Sequence, residues 1–333
     1  MTNKLAIIGC GAVSEMFHIP AALELLGASN VSIVDNDVKQ LEKTAKKFGV
    51  LSTATNLQDL KSSLDAVIIA TPPNTHQSIA EESLRLGLHV LCEKPLANST
   101  AECNEIIQTA QSTRKILAVC HTYRFFPNRL RLREMVLEGK LGKIHNVDIQ
   151  QGDPAAWPMI TGYSFRKEMV PGGVLLIEGL HSIDFLLWCF GMPNYLHYVD
   201  DSIGGLESNA FLKIDFEDSC QALFRISRTC SLDNKIKVNG TKATVELDIY
   251  NMITLKLNSN GKKMNITCAN GKDNFHTIAI AQLSDFISSI KTDKKPKCDA
   301  NEGTSVIEFI ENCYSQKKKR SLPTKAPVPG SMW

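Results

Sequence analysis

Through the first 120 residues, short apolar runs alternate with stretches of helical period. The runs "KLAIIG" (4–9), "NVSIVD" (30–35), "LDAVIIATPP" (64–73), "HVLCE" (89–93) and "KILAVCH" (115–121) show no apolar–polar alternation. Strands of that kind belong to a parallel sheet covered on both faces. Between them the pattern predicts a helix from about Val13 to Leu26. A second covers "NDVKQLEKTAKKFG", with Asn36 or Asp37 as N-cap and Gly49 past its end. A third, "NTHQSIAEESLRLG", is capped by Asn74 and closed at Gly87, and a fourth covers "STAECNEIIQTAQSTR". This is the grammar of a doubly wound α/β domain, placed at residues 1–122.

After residue 123 the period changes. A helix over "NRLRLREMVLEGKLG" leads into alternating runs: "KIHNVDIQQ", "AFLKIDFED", "CQALFRIS", "DNKIKVNG", "KATVELDI" and "MITLKLN". Period two, with turn signals at Asn239-Gly240 and in "NSNG" (258–261), predicts antiparallel strands. A helix over 172–191 interrupts them, and helices over 279–291 and 302–318 close the chain. Residues 123–333 thus form a second α/β domain, a mostly antiparallel open sheet with helices on one side, suited to substrate binding and self-association. An open sheet face calls for cover, which predicts a homodimer or homotetramer through that sheet.

Composition narrows the class. At 333 residues the chain exceeds one ordinary core, and 43% apolar with 22% charged residues is a globular balance. A net charge of +2 gives no electrostatic case for nucleic acid, and "KKKR" at 317–320 reads as a solvated helix end. The absence of an apolar run near ~18 residues and of a signal-peptide pattern predicts no membrane span. The ten cysteines form no C-x-x-C pair, and Cys10, Cys92, Cys120 and Cys189 sit in apolar runs, so buried thiols in the cytoplasm are expected.

Candidate chemistry begins at "IIGCGAVSEMFH". Gly9 and Gly11 end the first strand, where the backbone must turn and approach a pyrophosphate, and the helix opening at Ala12 and Val13 offers its amides to that anion. Ser14 takes the place of the usual third glycine. Asp35 ends the second strand, near the expected spacing for a carboxylate on the adenosine ribose diol. No Arg follows it, only Asn36 and Asp37, which favours NAD over NADP. "VLCEKPLANS" (90–99) raises another question, because a buried strand leaves through Glu93, Lys94 and Pro95, and buried charge is costly.

"GCGAVSEMFHIP", "ATPPNTH", "CEKPLA" and "FRKEMVPGGVLLIEGLHSID", in this order and ahead of an antiparallel sheet, resemble the glucose–fructose oxidoreductase and inositol dehydrogenase family of NAD(P)-dependent oxidoreductases. The resemblance implies a hydride transfer between nicotinamide and a secondary hydroxyl of a sugar, cyclitol or sugar derivative. It puts Lys94 at the reacting carbon, Glu93 at the cofactor and Pro95 in a cis bond, with Thr71, Pro72, Asn74 and His76 lining the dinucleotide. His181 becomes the proton acceptor, a role that suits its free pKa of ~6.5. Many family members carry an Asp four residues earlier, which falls on Ile177; Glu178 could substitute in part and Asp184 could orient the imidazole. The resemblance also brings Arg166 near the nicotinamide. Tyr123 and Arg124 are expected as cofactor or substrate contacts, and Trp157 and Tyr163 as sugar-stacking candidates. No metal is expected. An NAD-dependent glycosidase and a non-catalytic dinucleotide-binding regulator of the same fold are the alternatives.

Overall fold

A computed structural model describes residues 4–154, 162, 165–202, 205–269 and 274–317. Trp157 and Tyr163 lie outside the described residues. Six parallel strands form the first sheet: β1 (Leu5–Ile8), β2 (Val31–Val34), β3 (Ser52–Ala54), β4 (Ala66–Ile69), β5 (His89–Cys92) and β6 (Leu117–Val119). Their order is β3-β2-β1-β4-β5-β6, so the sheet reverses direction of growth between β1 and β4. That reversal opens a crevice at the carboxyl ends of the strands, the place where such sheets bind ligands. β1, β2 and β4 are buried throughout, as unalternated apolar runs require. The sequence reading passed over β3, which is three residues long, polar and at the sheet edge.

Helices α1 (Ile19–Leu26), α2 (Val38–Phe48), α3 (His76–Arg85) and α4 (Thr100–Thr113) connect these strands. Asp37 caps α2, accepting from the amides of Lys39 and Gln40, and Gly49 ends it in the left-handed region. Asn74 is not a cap: a 3₁₀ turn, Pro73–Thr75, precedes α3, and no side chain caps that helix. Ser99, one residue before α4, caps that helix by accepting from the Glu102 amide.

The second sheet has eight strands: β7 (Ile144–Gly152), β8 (Tyr195–Asp200), β9 (Asn209–Asp215), β10 (Gln221–Ser227), β11 (Lys235–Gly240), β12 (Ala243–Asp248), β13 (Thr254–Ser259) and β14 (Lys262–Thr267). All neighbours pair antiparallel except β7 and β10, which are parallel. Alternate residues of β9 and β10 are buried, so one face is packed and the other open. Helices α5 (Pro127–Leu137) and α6 (Leu180–Phe190) belong to this half. β8 and β14 were not anticipated; "YLHYVD" and "KKMNIT" carry little burial on either face.

The closing helices α7 (Phe275–Thr292) and α8 (Ala300–Ser315) return to the first sheet. Leu283, Phe286 and Ile287 of α7 share a core with Leu5, Ile7 and Ile33, while α8 packs on α4 and β6. The chain's end thus ties the two sheets together. All ten cysteines are free thiols, eight of them buried. Among the described residues no helix is long and apolar enough to cross a membrane.

Candidate active site

The glycine loop sits where the sheet reverses. Gly9 has φ +98°, and a Cβ there would lie 2.6 Å from the carbonyl oxygen of Ala70 at the end of β4. Only glycine fits that conformation beside that carbonyl. At Gly11 the opposite holds: a Cβ would project into open space, so its absence leaves room for a ligand. Ser14 is buried and its hydroxyl donates to the Gly9 carbonyl at 2.5 Å, so the residue in the third glycine's place braces the loop. A π-helical turn, Ser14–His18, follows before α1. Asp35, just past β2, accepts from the amides of Cys10 at 2.7 Å and Asp37 at 2.9 Å, which fixes a carboxylate beside the loop. These residues fit a dinucleotide.

Glu93 and Lys94 leave β5 along the same edge, and the Lys94–Pro95 bond is cis. His18 meets the Glu93 carboxylate at 2.8 Å, and the Lys94 amide donates to it at 3.1 Å. Burial alone would raise the Glu93 pKa; His18 and Lys94 outweigh it and hold the group below its usual range. Cys120 completes a trio of possible metal donors with His18 and Glu93, but the Glu93 carboxylate is already engaged in hydrogen bonds. Lys94 runs across the crevice and donates from Nζ to the Ile177 carbonyl at 2.7 Å. Burial lowers its pKa, against the pull of Glu93 and Glu178.

The opposite wall is a second π-helical turn, Leu175–Gly179, running into α6. Such turns recur at functional sites because they re-aim side chains. Glu207, fully buried, anchors this segment: it accepts from the amides of Gly173 at 2.9 Å and Leu175 at 3.2 Å, and from the Tyr314 hydroxyl at 2.6 Å. A Cβ at Gly173 would run into the Glu207 backbone, and one at Gly172 into the Tyr314 ring. That crowding is a physical reason for the Gly-Gly pair. Gly173→Ala should therefore destabilise the fold by about 1–3 kcal/mol, the cost of overpacking, read as a lower midpoint in urea unfolding.

Glu178 and His181 face Lys94 from this segment. Burial raises the Glu178 pKa, opposed by Arg228, whose guanidinium is 3.5 Å away, and by Lys94. Burial pushes the His181 pKa well down, and Lys94, His121 and Arg129 add to the effect. The His181 ring stacks on Tyr123 at 4.9 Å, and Arg129 lies over the other aromatic neighbourhood, 4.3 Å from the Tyr123 centroid. Asp153 and Tyr250 complete the surroundings, bearing on each other and on Glu178.

Behind this wall lie three groups. Asp184, fully buried, is held by Arg124, from Nη2 at 2.7 Å and Nε at 3.0 Å. His121 is 1% exposed; its Nδ1 lies 3.6 Å from Asp184, and among the described residues neither ring nitrogen has a hydrogen-bond partner. Burial and the nearby cations Arg124 and Lys94 push its pKa down to about 4, against the pull of Asp184. The unfolded histidine, at 6.5, binds its proton first as pH falls, so stability drops between pH 6.5 and 4. The contribution is about 3 kcal/mol. His121→Phe should flatten the pH dependence of unfolding in that window by this amount, measured against the parent in urea titrations.

Several expectations need correction. Asp184 does not orient His181, because its oxygens serve Arg124. Arg124 is itself buried, its donors spent on Asp184, Glu302 and the Lys297 carbonyl, so it braces the junction rather than facing a ligand. His76 is also buried; its ring nitrogens lie 2.8 Å from the carbonyls of Pro95 and Thr71, so it ties two loops and does not line the crevice. Thr71 and Pro72 are half-buried, Asn74 is exposed, and Arg166 is exposed at a turn. Sequence reading missed His121, Arg228, Asp153, Tyr250 and Glu207. His121, in "VCHTYRF" directly after β6, was the one with a signal, a histidine at the carboxyl end of a parallel strand.

A six-stranded dinucleotide-type sheet, joined to an open α/β half with lysine, glutamate and histidine at the junction, defines a two-part oxidoreductase. The chain belongs to the Gfo/Idh/MocA oxidoreductase family: residues 3–121 match its NAD-binding Rossmann fold and 133–325 its C-terminal alpha/beta domain. Inositol 2-dehydrogenase of Rhizobium meliloti is 23% identical over 97% of this chain and 99% of its own. D-glucoside 3-dehydrogenase of Escherichia coli is 28% identical over 65% of this chain and 60% of its own length. Among solved structures, the aldose-aldose oxidoreductase of Caulobacter crescentus, complexed with glycerol, superposes with a TM-score of 0.84 at 21% identity, covering 95% of this chain and 97% of that one. A levoglucosan dehydrogenase, in complex with NADH and levoglucosan, also gives 0.84, at 16% identity and covering 95% of this chain and 98% of that one. Named relatives of this family thus include sugar and cyclitol dehydrogenases.

Proposed function

We propose that this protein is an NAD-dependent dehydrogenase that moves a hydride between the nicotinamide and a secondary hydroxyl of a sugar, cyclitol or sugar derivative. The observation that carries the reading is the meeting of Lys94 Nζ with the segment bearing Glu178 and His181, through the Ile177 carbonyl at 2.7 Å. The nicotinamide, when bound, supplies the hydride acceptor. Gly9, Gly11, Ala12, Val13 and Asp35 hold the dinucleotide, with Thr71, Pro72, Asn74 and Arg166 along its edge. Lys94, whose Nζ gives one donor to Ile177 among the described residues, binds the reacting oxygen with another. His181, held neutral by desolvation and by the Lys94 charge, takes the hydroxyl proton. Glu178 balances the charge of Lys94 and Arg228 and reaches a neighbouring hydroxyl. Residues 1–122 form the cofactor half and 123–333 the substrate half. The open face of the second sheet, with Tyr195, Val199, Phe211 and Leu223, serves as the surface of a homodimer or homotetramer.

A screen of sugars, cyclitols and nucleotide sugars against NAD, followed at the NADH absorbance, tests the reading; no oxidation of any of them would overturn it. Hydrolysis of nitrophenyl glycosides without net NADH would mark a glycosidase instead. Asp35 gives a second test. A 2′-phosphate there would meet a fixed carboxylate, so NADH should bind more tightly than NADPH, and Asp35→Ser should narrow the gap. Equal affinities in the parent protein, measured by fluorescence titration, would remove Asp35 from the ribose site.

A further inference from the structure

A buried arginine normally uses its donors, because a guanidinium carries N–H groups and no acceptor, and leaving them unpaired is costly. Arg124 and Arg129 obey this: each binds three acceptors at the junction. Arg228, just past β10, does not. Its side chain is only 10% exposed, its Nε is buried, and among the described residues its guanidinium makes no hydrogen bond. The Glu178 carboxylate stands 3.5 Å from Nη2 as an ion pair alone. The arginine is nevertheless fixed in place. Its amide donates to the Ser208 carbonyl at 2.9 Å, and its guanidinium lies 5.1 Å from the centre of the Phe165 ring. The head of the side chain is also at the candidate site. Arg228 meets Glu178 while Lys94 meets the preceding residue, Ile177, so the two cations flank consecutive residues of one turn. Buried polar groups without partners are rare, and one in a crevice points to a ligand.

We propose that Arg228 binds a carboxylate of the substrate, which makes the substrate a sugar acid. The proposal rests on the dehydrogenase reading for the hydroxyl that reacts, and it adds the group that selects the molecule. A planar guanidinium offers parallel N–H donors that match a carboxylate. Ring hydroxyls also accept, but they match neither the fork nor the charge. Glu178 is shared between two cations, Arg228 and Lys94, which leaves this end of the crevice suited to one more negative charge. A phosphate dianion fits less well, because Asp153, bound to Asn234 at 2.8 Å, adds a second carboxylate beside Glu178. With the substrate carboxylate on Arg228, Glu178 is left for a hydroxyl and Lys94 for the oxygen at the reacting carbon.

Equilibrium binding to the NADH-loaded protein, read by fluorescence, tests this without turnover, so the outcome is separate from that of the dehydrogenase reading. D-Glucuronate, D-galacturonate and D-gluconate are compared with D-glucose and D-galactose, and D-glucose 6-phosphate tests the phosphate. At least one acid should bind about ten- to a hundredfold more tightly than its neutral counterpart, the scale of hydrogen bonds to charged groups. Arg228→Lys keeps a charge beside Glu178 but loses the fork, and should lose most of that advantage. Arg228→Met should lose all of it, with NADH titration reporting that both variants are folded. Acids that bind no better than neutral sugars would overturn the proposal. So would a preference for the phosphate ester, or a preference for acids that survives Arg228→Met. An acid held through Arg228 but never oxidised would support the subsite and count against the dehydrogenase reading alone.

Discussion

Lys94→Ala should lower kcat by about 10² or more, the scale of removing one preorganised donor, while NADH affinity changes little. Lys94 is half-buried and already spends one donor on the Ile177 carbonyl at 2.7 Å. In the proposed reading its remaining donors hold a positive charge against the substrate oxygen, whose negative charge grows as its proton leaves ahead of the hydride, so the interaction strengthens toward the transition state. The proposed adenosine and pyrophosphate contacts lie elsewhere, at Gly9, Gly11 and Asp35, which predicts the split between kcat and cofactor binding. Lys94→Arg should not rescue, because a longer planar fork cannot keep both the carbonyl and the substrate oxygen. Stopped-flow hydride transfer and fluorescence titration of NADH measure the two arms. A Lys94→Ala enzyme as fast as the parent would remove the E-K-P strand end from the chemistry.

The first half of the fold was legible because local signals and burial agree there. Unalternated runs became β1, β2 and β4, and Asp37 and Gly49 bound α2 as their residue types dictate. β3 was not legible: its edge position asks for no apolar run, so Ser52–Ala54 carries no signal. Nor could period alone reveal that α7 and α8 leave their own sheet for the first one, since an amphipathic face does not say which partner covers it. The parallel β7–β10 pair inside a meander of antiparallel strands was hidden for the same reason: alternation fixes the face, not the neighbour.

The site divided along similar lines. Residues fixed by backbone need, such as Gly9 beside the Ala70 carbonyl, could be read from spacing. Charged residues that look available in sequence could not be sorted into those facing the crevice and those spent inside. Arg124 and Asp184 are each other's partners, and His76 is a brace between Thr71 and Pro95. Only tertiary placement distinguishes a buried ion pair from a ligand contact, because both use the same residue types. Glu207 shows the converse. It is 34 residues from the Gly173 amide it accepts from, so no local pattern joins it to the helix it anchors.

His181→Ala should lower kcat by about 10² to 10⁴, the range for removal of a positioned general base, and should erase the acidic limb of the kcat profile. The position of that limb in the parent follows from the surroundings of the ring. Burial, then Lys94, His121 and Arg129, all disfavour the imidazolium, so the folded pKa lies well below 6.5. A base is active when unprotonated; activity should therefore be flat through neutral pH and fall only in acid, well under the free histidine value. Substrate that excludes more water moves the limb lower still. The same shift weakens the fold in acid, because the unfolded histidine takes up a proton below 6.5 while the folded one resists it. Rate and stability must be separated by measuring unfolding at each pH used for kinetics. A limb at or above pH 6.5 in the parent, with the protein fully folded, would mean that His181 is solvated and that another group accepts the proton.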